Sequence, residues 1–168
     1  MIARARLMPV AVAFAAAALG ALPAGGATVQ APVNASVNKA LEITRVADMS
    51  FGNILLSGTG TYTVNVSISQ AGILNCPANV TCTGVTSPGT YNVSGSKQSP
   101  VQISTPSTMT LTGASGSITM AVSAPTSLVL TNSGYPGTDF NVGGTLTLTD
   151  TTKEGVYSGT FSVTADYQ

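Results

Sequence analysis

The 168-residue chain contains no His and no Trp, and only 7% of its residues are charged. Without His, the commonest general base and metal ligand is missing, and the few carboxylates lie on separate segments, so neither catalysis nor a cofactor is expected. Beyond residue 27 the charges are four cations (Lys39, Arg45, Lys97, Lys153) against six carboxylates (Glu42, Asp48, Asp139, Asp150, Glu154, Asp166). With no basic patch, nucleic acid and anionic membrane surfaces are excluded as expected partners.

Residues 1–27 read as an export signal. Arg4 and Arg6 precede the apolar run "LMPVAVAFAAAALGAL", and "PAGGA" offers a cleavage site after Ala27. Gly20, Pro23, Gly25 and Gly26 cut the apolar run too short for a membrane anchor. The mature protein is therefore expected to be exported, with no membrane insertion after cleavage.

Residues 28–38, "TVQAPVNASVN", form an N-terminal extension in strict alternation. Val29, Ala31, Val33, Ala35 and Val37 fall on one face, and polar residues or Pro32 on the other. That period of two predicts a strand, and Pro32 suits an edge or donated strand because it lacks a ladder N–H. Burying three Val and two Ala side chains would contribute roughly 5–7 kcal/mol as an upper estimate.

Residues 39–168 are expected to form one domain. Alternating segments recur at 40–46, 51–56, 61–69, 90–95, 101–104, 108–113, 117–123, 127–131, 144–150 and 156–168. The turn sequences "SGTG", "TSPG", "GASG" and "NSGYPG" separate them, and "DTTKEG" is read as a hairpin turn before the last strand. Asp139 and Asn141 in "TDFNVGG" are read as a polar turn, lacking the further ligands of a calcium loop. No window outside the leader has a helical period. The expected fold is all-β, an immunoglobulin-like antiparallel β-sandwich, open to completion by a neighbouring subunit's strand. Thr and Ser, 24 and 18 residues, supply hydroxyls for its wet faces.

Cys76 and Cys82 in "NCPANVTC" predict a local disulfide in an exported chain. The four Asn-x-Ser/Thr triplets, at Asn34, Asn65, Asn79 and Asn92, are common by chance in so polar a chain. Tyr62, Tyr91 and Tyr135 form no carbohydrate platform visible in the sequence.

The last segment, "GVYSGTFSVTADYQ", reads as one strand with Tyr157, Gly159, Phe161, Val163, Ala165 and Tyr167 on one face. Together with "ALEITRVADMSFGNI" it resembles the bacterial secreted family known as domain of unknown function 4402, over essentially the whole mature chain. That family is itself similar to spore-coat-U-like and chaperone–usher fimbrial subunits. In the fimbrial group, a glycine fourteen residues from the end and a penultimate tyrosine mark a strand held by a periplasmic chaperone. Gly155 and Tyr167 occupy those places. The resemblance implies that Gly155, Tyr157, Phe161, Val163 and Tyr167 form the chaperone- or subunit-contact strand. It also implies that residues 28–38 are a donor strand for the next subunit. The expected function is a structural subunit of a bacterial surface fibre or coat assembled by β-strand complementation, first periplasmic and then at the cell surface. Its expected partners are like subunits, a periplasmic chaperone and an outer-membrane usher. The alternative is a self-complete secreted sandwich acting as a monomeric surface or matrix binding module.

Overall fold

The computed structural model describes Gly26 and residues 28–168. Gly26 aside, the leader expected over residues 1–27 lies outside the described residues. The chain divides into two units, Met1–Ala35 and Ser36–Gln168. In the first, the described residues from 28 onward are exposed and carry no strand.

The second unit is all-β, and its strand pairings are antiparallel. The strands are β1 (Glu42–Ala47), β2 (Asn53–Leu56), β3 (Thr63–Ile68), β4 (Leu74–Asn75), β5 (Val80–Thr83), β6 (Gly89–Ser94) and β7 (Pro100–Ser104). They continue with β8 (Thr108–Gly113), β9 (Gly116–Ser123), β10 (Ser127–Val129), β11 (Thr138–Thr149), β12 (Tyr157–Ser158) and β13 (Thr164–Tyr167). The largest sheet runs β1-β6-β11-β9-β8-β12, with β3 also paired to β11 and β4 to β3; β10-β7-β13 and β2-β5 form two smaller sheets. Most of these positions follow from alternation. In β3, Val64, Val66 and Ile68 are buried while Thr63 and Asn65 face water.

The core lies in two clusters. The first gathers Val64, Val66, Ile118, Met120, Leu146 and Leu148, with Ile54, Leu56, Val80 and Cys82 packed against it. The second gathers Val93, Val101, Ile103, Leu130, Phe140 and Val142, with Leu41, Val163, Ala165 and Tyr167 packed against it. Met49, Val122 and Phe161 pack against both.

β11 joins the two clusters. Residues 138–142 pair with β6, 144–149 with β3, and 143–147 with β9. At the changeover both residues are glycine. A Cβ on Gly143 would strike the Ile68 carbonyl oxygen and come within 2.9 Å of the Ser69 carbonyl carbon. The expected polar turn at Asp139 and Asn141 is therefore a strand. Phe140 and Val142 point into the core, while the two polar residues sit outside on cross-strand hydrogen bonds. Asn92 Nδ2 donates to Asp139 Oδ1, and Thr90 Oγ1 donates to Asn141 Oδ1 at 3.0 Å.

Around the cysteines lie β4 and β5; in β5, Val80 and Cys82 turn inward and Thr81 and Thr83 outward. Two further expectations are corrected. The last strand is not continuous: β12 pairs with β8 in the large sheet and β13 with β7 in a smaller one, and residues 159–163 cross between them. At the crossing, a Cβ on Gly159 would lie 2.8 Å from the Thr110 carbonyl oxygen. "DTTKEG" links β11 to β12, which pairs with β8, so it is not a hairpin turn.

Tyr91 stacks on Phe140 at a centroid distance of 5.6 Å and meets Phe161 edge-on at 6.5 Å. Desolvation raises its phenol above the usual value, Arg45 opposes this, and Asp48 adds to it.

A candidate docking groove beside an open strand edge

Among the described residues, β2 is bonded on one side only. Asn53, Ile54, Leu55 and Leu56 lie opposite Thr83, Cys82, Thr81 and Val80, and the ladder continues with Ser57 N donating to Asn79 O at 3.0 Å. In an antiparallel pair, residues alternate between bonding inward and outward along the ladder. Since Ser57 bonds toward β5, Leu55 and Asn53 do too. The amides and carbonyls of Ile54 and Leu56 therefore face the strand's open edge, while their side chains pack on the first cluster.

Beside that edge lies a groove of about 630 Å³. Met49, Phe51 and β2 form one wall, and Lys153–Tyr157 the other. Leu111 from β8, Ile118 from β9, and Leu146 and Leu148 from β11 form its apolar floor. Lys153 and Glu154 supply the charge among its lining residues. The Tyr157 hydroxyl donates to the Lys153 carbonyl at 2.7 Å and so fixes the second wall.

The Cys76–Cys82 disulfide closes the turn into β5, with Cα atoms 6.1 Å apart, and ties down the outer strand of the β2-β5 pair. The pairing matches the sequence expectation.

The remaining expected site residues are distributed as follows. Val29, Val33 and Val37 are each 91% exposed, and Ala31 and Ala35 are exposed as well. No residue from 28 to 41 lies in a strand. Of the residues expected to share one contact strand, Gly155 and Tyr157 line the groove. Phe161 sits between the clusters, and Val163 and Tyr167 pack into the second. Sequence reasoning missed Ile54 and Leu56. The segment "FGNILL" announces a strand, but an open edge depends on which strands fold beside it, and alternation within one segment carries no trace of that.

No curated protein and no solved structure gives a significant match to the chain. The extension at 28–38 precedes the segment that a family model matches. That model, described as Domain of unknown function (DUF4402), covers residues 41–167, and the chain belongs to this family.

Proposed function

We propose that the protein is a structural subunit of a bacterial surface fibre or coat, joined to its neighbours by β-strand complementation. The reading treats the domain as an immunoglobulin-like sandwich with one strand position unfilled, beside β2. The observation that carries it is the coexistence of an unpaired edge beside a groove with an apolar floor and an alternating, exposed apolar segment in the same chain. An added strand would satisfy the outward amides and carbonyls of Ile54 and Leu56, each new bond contributing about 0.5–1.5 kcal/mol, and bury valines on Leu111 and Ile118.

Intermolecular use is favoured by where the extension begins. The Lys39 amide donates to Ser96 Oγ at 2.7 Å, and its carbonyl accepts from Tyr167, beside the second cluster. The six residues of β1, about 20 Å of strand, separate that point from Met49 at the groove. A segment doubling back would use about six residues merely to cover β1, whereas a neighbour's extension can enter whole. Like subunits are thus the proposed partners. A periplasmic chaperone would shield the open edge before assembly and an outer-membrane usher would pass subunits outward. Export by the leader and a surface location belong to the same proposal.

The test is expression of the exported protein with and without residues 28–38. Strand exchange predicts ladders of multimers on unboiled gels for the intact chain and none for the deletion, which still accepts a 28–38 peptide. A stable monomer in both cases overturns the reading in favour of a self-complete binding module.

A further inference from the structure

We infer that the outer face of β1 and β6, beneath Tyr135, is a binding site for a neutral saccharide. Tyr135 exposes 96% of its surface. Yet the loop that carries it is held tightly. Gly134 N donates to Gly95 O at 2.9 Å, Gly137 N to Gly134 O at 2.9 Å, and Asn92 Nδ2 to Pro136 O at 2.9 Å. Lys39 Nζ reaches Ser133 O at 3.4 Å. The fixed turn spares a ligand the cost of ordering the backbone that carries the ring.

The ring stands at the side of a concavity of about 430 Å³, within the size range of small-ligand sites. Its floor comes from outward positions of two adjacent strands: Glu42, Thr44 and the apolar Val46 of β1, and Asn92 and Ser94 of β6. Glu42 lies opposite Ser94, and Thr44 opposite Asn92, in the ladder. Among the described residues, the side chains of Glu42, Thr44 and Ser94 make no hydrogen bond within the protein. Asn92 uses its amide nitrogen on Pro136 and Asp139, which leaves its oxygen able to accept. The floor therefore offers donors and acceptors in alternation, matched to the ring hydroxyls of a sugar whose C–H face lies on Tyr135. Glu42 is the charged residue of the lining, so a neutral ligand is favoured over an anionic one. This site is independent of how subunits join and goes beyond the fibre reading.

Saturation-transfer NMR on the mature protein with the methyl glycosides of glucose, galactose, mannose and N-acetylglucosamine tests it. Binding of at least one glycoside at millimolar concentration is expected, weakened about tenfold by Tyr135→Ala and largely kept by Tyr135→Trp. Thr44→Val should weaken it too, and thermal melting should not move for Tyr135→Ala. The inference is overturned if none of the four binds, if Tyr135→Ala binds as well as the parent, or if choline displaces the sugar and binds more tightly, which would mark a cation site.

Discussion

The Tyr167 hydroxyl donates to the carbonyl oxygen of Lys39 at 2.7 Å, joining the penultimate residue of the chain to the point where the extension enters the domain. The Tyr167 phenol oxygen in turn accepts from Ser96 N at 2.6 Å. The two ends of the domain are thus fastened through one phenol, over the second cluster. Tyr167→Phe keeps the packing and removes both bonds, so it should lower stability by about 1–3 kcal/mol. A reduced urea midpoint with an unchanged slope checks this.

Gly143 and Gly144 should respond differently to the same added methyl. At Gly143 a Cβ meets backbone of the segment after β3, which cannot turn aside. At Gly144 it meets Met120 Sδ at 2.8 Å and Met49 Sδ at 3.2 Å, the ends of flexible side chains. Gly143→Ala should cost upwards of about 2 kcal/mol and Gly144→Ala clearly less, by comparison of melting curves. Equal losses would show that β11 shifts as a unit.

These two glycines also mark where the sequence was hardest to read. The strands β3, β7, β8 and β9 were legible because a valine, isoleucine or methionine recurs at every second position and faces one core. β11 was half-legible. Its first half places Asp139 and Asn141 outward, and such residues beside "GG" look like a turn until β6 supplies Asn92 and Thr90 as cross-strand partners. The C-terminal segment misled in the opposite direction. Its burial alternates from Phe161 to Tyr167 and breaks only at the exposed Gly159, while the sequence pattern runs on. Yet the backbone leaves one sheet and joins another, because alternation reports which side faces the core and not which neighbour is bonded. Of the candidate site, the disulfide could be read from the sequence. The groove could not, since its floor comes from three strands more than 30 residues apart along the chain at their extremes.

Replacing both cysteines by serine should remove roughly 2–2.5 kcal/mol, the closure entropy of so short a loop. The loss should be local to the β2-β5 pair. Hydrogen exchange should therefore quicken in Val80–Thr83 and leave β7 and β13 protected.

Val33→Asp probes the extension without touching the domain. Val33 is 91% exposed, so the melting of the monomer should not change. On the fibre reading, a carboxylate carried onto the groove's floor of Leu111, Ile118, Leu146 and Leu148 would lose its water against apolar side chains, and multimers on unboiled gels should be strongly reduced. Multimers at the parental level would exclude Val33 from any buried contact.

The raised phenol of Tyr91 gives a dependence on alkaline pH. Its proton is held more tightly in the fold than in the unfolded chain, so the folded state binds more protons as pH climbs. The stability tied to the neutral phenol is complete below the unfolded value near 10 and is lost as pH rises through the higher folded value. Tyr91→Phe should flatten the alkaline arm of the stability profile, measured by denaturation between about pH 8 and 11. An unchanged arm would exclude Tyr91 as its source.

β11 is a common wall of both clusters, and it lies late in the chain, pairing with β3 and β6 far upstream. A chain emerging from its N-terminus must deliver every residue up to 137 before either half of the interior has its centre. Until then β3, β6 and β9 wait with valines and bare edges exposed. Maturation is therefore all at the end. On the fibre reading, that interval of unfinished pairing is when the proposed chaperone would hold the chain.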